Sequence, residues 1–266
     1  VVTPADMLEQ HGSDAVRYWA ASSRLGTDAA FDPQNPTQIK IGRRLAIKVL
    51  NASKFILGFD VPSGNLMDAI THPLDLSMLA TLRSVVAEAT VSYDNYDHAR
   101  ALETAESFFW TFTDDYLELV KERAYNSEHP HQASAAAALR LALTVLLRLF
   151  APVLPFATDE SWSWFNEGSI HRATWPSVDE FPREGDVAVL VAASAALIGI
   201  RRAKTDAKAS QKTEVLNAVI AVPHDQLVAI EQAAGDLAAV GRIASLSFTS
   251  GDEIGVASIE LAPTEV

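Results

Sequence analysis

Hydrophobic positions recur at helical spacing through the first two thirds of the chain and give way to alternation near its end. The clearest helical stretch is 37–59, TQIKIGRRLAIKVLNASKFILGF. On a wheel of 3.6 residues per turn, Ile41, Leu45, Val49, Ala52 and Ile56 share one face. Lys40, Arg43, Arg44, Lys48, Asn51 and Lys54 fall in an opposite arc of roughly 140°. That division predicts an amphipathic helix with a core face and a basic face. Upstream, Thr3-Pro4-Ala5-Asp6 reads as a helix start and Gly12 as its stop, with His11 at the C-terminal end. Ser13 is expected to cap a second helix over 14–23, and 24–36, with Gly26, Pro33 and Pro36, reads as a loop.

After the basic helix, 61–72 reads as a loop, 73–93 as a helix opened by Pro73, and 97–125 as one long amphipathic helix through Leu102, Phe109, Phe112, Tyr116, Leu119 and Val120. A turn at 126–132 precedes 133–150, which is apolar almost all round, the mark of a buried helix. Pro152 and Pro155 break it, and 156–165 reads as a last short helix. Four or five long helices joined by short turns predict a mainly α antiparallel bundle. The pattern changes after Trp175-Pro176. The charged stretch 179–186, with Pro182 and Gly185, reads as a linker, and 187–209 as a helix with its bases in the C-terminal half. Then 214–222 alternates as a strand, 224–234 reads as a helix, and 243–249 and 256–261 read as strands with Gly251 in the turn between them. The expected division is a helical connector over 1–36, a bundle over 37–182 and a small α/β module over 183–266.

At 266 residues, 48% hydrophobic and 21% charged, the composition is that of an ordinary globular protein. Cysteine is absent, which excludes disulfides, zinc–thiolate sites and thiol chemistry and fits a reducing cytoplasm. No apolar run reaches the ~18 residues of a membrane span, and VVTPADML does not read as a signal peptide. The first residue is not Met, so a piece of a longer protein is expected. The balance of 34 Asp and Glu against 21 Lys and Arg, a net charge of -13, argues against a general nucleic-acid binder. The distribution of charge changes that picture. From Pro33 to Phe59 there is no acid, and Lys40, Arg43, Arg44, Lys48 and Lys54 lie in that span. Arg201, Arg202, Lys204, Lys208 and Lys212 form a second run, interrupted only by Asp206. A solvated helix normally mixes signs to gain i,i+4 pairs. Two readings stay open: a surface helix paired with acids elsewhere, or a face that meets a polyanion.

Catalytic signals are missing: there is no P-loop, no GxGxxG and no GxSxG elbow. His129-Pro130-His131 lies in a turn without a carboxylate set and reads as loop rather than metal site. Asp114, Asp115 and Glu118 read as an acidic helix face or ion pairs. Trp110, Trp162, Trp164 and Trp175 can stack on bases, but core packing is the better reading for three of them. Phe55 sits on the edge of the basic arc, where base stacking and simple packing are equal alternatives.

Several stretches together resemble the class I aminoacyl-tRNA synthetases. The run VVTPADMLEQHGSDAVRYWAASSRLGTDAAFDP is similar to the segment that follows that family's KMSKS-type loop, and GRRLAIKVLNASKFILG to the first helix of its anticodon-binding bundle. FFWTFTDDYLELVKERAY, LLRLFAPVLPFATDESW and ATWP follow in the family's order. The stretch 22–32, with Gly26, Asp28 and Phe31, and Gly42-Arg43-Arg44 with Asn51-Ala52-Ser53-Lys54-Phe55, resemble the valyl branch more than the isoleucyl or leucyl branches, and imply a bacterial, actinobacterial source. The resemblance covers 1–176; beyond it, IGIRRAKTDAKASQK looks like the family's helix before a small C-terminal fold. Nothing matches the HIGH-type or KMSKS-type signatures or an editing domain, so the resemblance implies a region that neither activates nor transfers valine. No sustained heptads match the coiled-coil arm of many valyl enzymes.

What the resemblance implies is a region that holds the anticodon stem-loop of tRNA(Val), alongside the catalytic domain of the same polypeptide, which uses ATP with Mg. No cofactor or metal is implied within this chain, and no membrane partner. Lys40, Arg43, Arg44, Lys48 and Lys54 would then neutralise phosphates. Asn51 would read a base edge or make a polar contact in the bundle, and Phe55 would stack on a loop base. Arg201, Arg202, Lys204 and Lys208 form a second candidate surface, or satisfy a helix C-terminus. Lys121 and Arg123 are weaker candidates, crowded by acids. The rival readings are a support domain with little RNA contact, the equivalent region of an isoleucyl enzyme, and a complete enzyme with an unrecognised site.

Overall fold

Apolar stripes of 3.6-residue period bury themselves as packed helices, and the alternating stretches near the end pair as strands. A computed structural model describes residues 5–29, 31–32 and 34–263. Thr3 and Pro4, expected at the first helix start, and Pro33 lie outside the described residues. The helices are α1 (Ala5–His11), α2 (Ser13–Ala21), α3 (Thr37–Ile56), α4 (Leu66–Ala69), α5 (Pro73–Asp94), α6 (His98–Thr111), α7 (Leu117–Tyr125), α8 (Gln132–Phe150), α9 (Pro155–Ser163), α10 (Val187–Asp206), α11 (Leu227–Glu231) and α12 (Ala234–Gly241). The strands are β1 (Val215–Val222), β2 (Ile243–Ser250) and β3 (Gly255–Leu261). The mainly helical class with a small α/β end is as the sequence predicts.

The chain divides into two compact units. The first comprises Val1–Val61, Leu82–Phe109 and Leu139–Phe181; the second comprises Pro62–Thr81, Trp110–Ala138 and Pro182–Val266. In the first unit, α3 packs on α2 and α9. Its buried positions are Ile39, Gly42, Leu45, Val49, Ala52, Ser53 and Ile56. Ile41, expected in the core face, is only half-buried. The stripe begins at Ile39 because Gly42, not a large side chain, meets α2: a Cβ on Gly42 would lie 2.5 Å from Tyr18 Cβ. The expected cap at Ser13 is absent. Gly12, at φ 84, precedes α2, and Ser13 is its first helical residue. The buried Asp14 caps a different helix: its carboxylate accepts from the Phe156 and Ala157 amides at 3.2 and 2.7 Å, at the start of α9, whose own N-cap residue Leu154 offers no side-chain bond. A capping box formed by Ser177 and Glu180 overlaps the start of the stretch expected as a linker, and Glu180 is salt-bridged to Arg148.

In the second unit, β1 is the central strand of the order β2-β1-β3, parallel to β2 and antiparallel to β3. α10 packs on β3. The helix expected over 224–234 is instead a 3-10 turn followed by α11, and α12 comes after it unforeseen. The expected long helix over 97–125 is interrupted by a π turn, Phe112–Tyr116, which buries Phe112 and Tyr116 completely, their rings stacked at 5.8 Å. The loop 61–72 contains the short α4, capped by the Asn65 side chain. α8 is the one described helix long and apolar enough to cross a membrane by length and composition, and 78% of that window is buried in the protein.

Candidate nucleic-acid interface

The basic arc of α3 is a surface. Lys40, Arg43, Arg44, Asn51 and Lys54 are exposed, and Lys48 is half-buried. The face is built by the helix's opposite stripe, which fixes the rotation of α3 through Leu45, Val49 and Ile56, each 2% exposed or less. Two of the bases bond to neutral groups. Lys40 Nζ donates to Asn35 Oδ1 at 3.1 Å, and Arg43 Nη1 donates to the Gln10 carbonyl at 3.1 Å, in the last turn of α1. A cation at that carbonyl end is favoured by the helix dipole, so Arg43 is both anchored and outward-facing. Arg44 acts on its surroundings through charge: it lowers the Tyr18 pKa, against burial and the hydrogen bond from Tyr18 Oη to Glu106 at 2.6 Å, which together raise it well above the usual phenol value. Phe55 is half-buried and meets Phe59 edge-on at 5.1 Å, so one ring is partly packed and partly open. Arg43 also reaches the rim of a cleft of about 870 Å³ among α2, α3 and α9, which Ile47 and Phe156 line beside Asp159 and Glu160. This arrangement can neutralise phosphates and offer an amide and a ring to an unpaired base.

The second run of bases divides. Arg202 and Lys208 are exposed, and Arg201 is half-buried with its guanidinium 3.5 Å from Asp115. Arg202 lies 3.7 Å from Asp206, one helical turn on. Lys208 adopts the left-handed conformation, φ 54, after the end of α10. The amides of Lys208 and Ala209 bond back to Thr205 and Lys204, a Schellman closure that usually takes glycine. Lys204 is not on the surface. It is 1% exposed, and its ammonium donates to the carbonyls of Gln211, Thr213 and Gly241 at 3.1, 2.8 and 2.8 Å. The periodicity places it on the inward face of α10, where it fastens the loop before β1 to the end of α12. A direct phosphate contact by Lys204 is thereby corrected.

Arg123 is corrected in the same way. It is 4% exposed, and all five N–H donors of its guanidinium are used. Two bond Asp75 at 2.8 and 2.9 Å, two bond Asp236 at 3.0 Å, and one bonds the His131 carbonyl at 3.2 Å. Asp75, fully buried, also accepts from Tyr116 Oη at 2.8 Å and Ser134 Oγ at 2.6 Å. Burial would push this carboxyl up, but the Arg123 hydrogen bonds and charge, with Ser134, hold it below the usual carboxylate range. The acids that seem to crowd Arg123 in sequence, Glu118 and Glu122, are not its partners. The partners lie 48 and 113 residues away. Asp114, Asp115 and Glu118 take the ion-pair reading in part, since Asp115 pairs with Arg201 and Glu118 with Lys121. His131 stacks edge-on with His72 at 5.1 Å. Trp175 donates to Thr90 and packs on Tyr93, while Trp164 is 42% exposed.

Residues 75–220 match the family model of the anticodon-binding domain of tRNA ligase. The valine--tRNA ligase of Leifsonia xyli subsp. xyli is 64% identical over 269 residues, covering all of this chain and 31% of the relative. That of Thermobifida fusca is 53% identical over 272 residues, covering all of this chain and 30% of the relative. That of Cutibacterium acnes is 49% identical over 263 residues, covering 98% of this chain and 30% of the relative. The chain thus spans about 30% of the length of these curated relatives. A solved ternary complex of the Agrobacterium radiobacter K84 agnB2 LeuRS with tRNA is similar at a TM-score of 0.48 and 13% identity, over 93% of this chain and 30% of that one, too distant to carry weight. With a family match over more than half of its length, and relatives that are valine--tRNA ligases, the chain belongs to the anticodon-binding domains of tRNA ligases.

Proposed function

We propose that this chain holds the anticodon stem-loop of tRNA(Val) on the basic arc of α3, within a valine–tRNA ligase whose catalytic part attaches valine with ATP and Mg in the cytoplasm. The observation that carries the reading is the acid-free, outward-facing arc Lys40, Arg43, Arg44, Lys48 and Lys54 in a chain of net charge -13. Like-signed side chains one helical turn apart gain when a polyanion is laid across them. The bases hold phosphates, and Asn51 and Phe55 take the edge and face of an unstacked loop base. Arg201, Arg202 and Lys208 contribute a second basic surface. The stretch 1–36 serves as the connector toward the catalytic part, 37–182 as the bundle, and 183–266 as the α/β module.

The test is filter binding of a valine tRNA transcript to the chain at low salt. Arg43→Ala/Arg44→Ala should weaken binding at least about tenfold and flatten the salt dependence by roughly two phosphate contacts. Lys54→Ala, at an exposed position away from α1, should weaken it less and without changing the thermal midpoint. Unchanged affinity in both variants would make α3 a scaffold element and overturn the assignment.

A further inference from the structure

The second unit contains a cleft of about 610 Å³ walled by α7, the C-terminal half of α10, the loop before β1 and the end of α12. Lys121, Arg201, Lys212 and Arg242 line it, Lys204 closes its floor, and Tyr125 stands at its edge, 65% exposed. Two acids, Glu118 and Glu122, share the lining, and Glu118 is taken up by Lys121. The cleft is therefore net positive in an acidic chain.

The floor matters most. The carbonyl ends of α12 and of the preceding loop would by themselves present a negative pole. Lys204 reverses this: its ammonium takes the carbonyls of Gly241, Thr213 and Gln211, and those neutral partners leave its charge uncancelled. Arg242, in the left-handed conformation at φ 52, donates through Nη1 to the Lys212 carbonyl at 3.0 Å, which brings both basic side chains to one rim. Among the described residues, neither Lys212 nor Arg242 has a carboxylate partner. On α7, Glu122 lies three residues before Tyr125 on the same face, and both line the cleft, so it offers an acceptor for amino protons on the wall that carries the ring.

We propose that this cleft binds a single-stranded RNA segment, with its phosphates on Lys212 and Arg242 above the Lys204 floor and an unstacked base on Tyr125, beside the Glu122 carboxylate. An acidic peptide would satisfy the bases but would meet the like charge of Glu122. The inference deepens the tRNA reading and rests on it for the source of the RNA; the residues are distinct from those of α3.

The test is fluorescence anisotropy of a labelled valine tRNA transcript with the 266-residue chain across a salt series. Asn tolerates the left-handed conformation, so the charge variant is Lys212→Ala/Arg242→Asn. It should weaken binding about tenfold or more and lower the salt slope by about two, whereas Tyr125→Ala should weaken binding about fivefold or more with the slope unchanged. Unchanged affinity in both, with the fold verified by circular dichroism, overturns the inference. Should the charge variant misfold, Tyr125→Ala at its exposed site decides alone. Equal binding of a labelled polyglutamate peptide would also overturn it. Arg43→Ala/Arg44→Ala separates the two readings. If that variant is silent while the cleft variants weaken binding, the α3 assignment fails and the cleft stands; if it alone weakens binding, the cleft fails and α3 stands.

Discussion

Asp75 is a charge held where water does not reach, and its environment fixes how the protein responds to acid. Four donors surround it, two of them from a guanidinium shared with Asp236. Removing one partner of such a buried set leaves uncompensated charge and orphaned donors. Asp75→Ala strands Tyr116 Oη and Ser134 Oγ as well as half of the Arg123 fork, so it should cost about 3–5 kcal/mol in urea unfolding. Asp236→Ala, which leaves the Asp75 side intact, should cost less. Because the folded Asp75 pKa is depressed, its contribution to stability is full above the unfolded value of about 4 and is lost as pH falls through the lower folded value. His72 works in the same direction. Burial first, and then the Arg123 charge, hold its imidazole below the usual range, so folding favours the neutral ring and stability falls as pH drops below about 6.5. Urea midpoints taken from pH 7.5 down to 4 should decline throughout, and His72→Gln should remove the upper part of the decline. A flat profile between pH 7 and 5 in the unmodified chain would contradict the His72 assignment.

At the scale of elements, the amphipathic helices were the legible part. α3, α5, α8 and α10 lie within a few residues of where the pattern puts them: a continuous apolar stripe, or in α8 a run apolar almost all round, with proline or glycine near an end, leaves little choice. The basic arc was legible for the same reason. What a stripe cannot reveal is a partner distant in sequence. Arg123 reads as a weak surface candidate because local pattern carries no trace of Asp75 or Asp236, and Lys204, left open between a basic surface and a helix end, takes its place at the Gly241 carbonyl, 37 residues away. Asp14 read as part of its own helix start, yet it caps α9, which begins at Pro155. α12, rich in alanine and glycine, has a weak polar face and gave no periodicity to follow. One local signal did have a tertiary meaning that sequence alone leaves unread. Gly42, inside a strong helix, marks the contact with α2. Gly42→Ala gains about 1 kcal/mol in helix propensity. The new Cβ meets Tyr18 Cβ rather than a movable side-chain end, so overpacking at the upper end of the usual ~1–3 kcal/mol should prevail. Thermal unfolding should show a net loss of stability, and a gain would mean that α2 yields without cost.

For the molecule as a whole, the account turns on where charge is placed rather than how much there is. A net charge of -13 repels nucleic acid at long range, so on the proposed reading affinity comes from short-range contacts on the two basic surfaces, one in each unit, and falls steeply with salt. The measurement that tests this most directly is the affinity of the chain for a valine tRNA transcript and for the same transcript with its anticodon altered, each across a salt series. The account predicts tighter binding of the valine anticodon at every salt concentration, with both affinities falling linearly on a logarithmic salt scale. Equal affinities for the two transcripts, or binding indifferent to salt, would contradict the claim that α3 receives the anticodon loop.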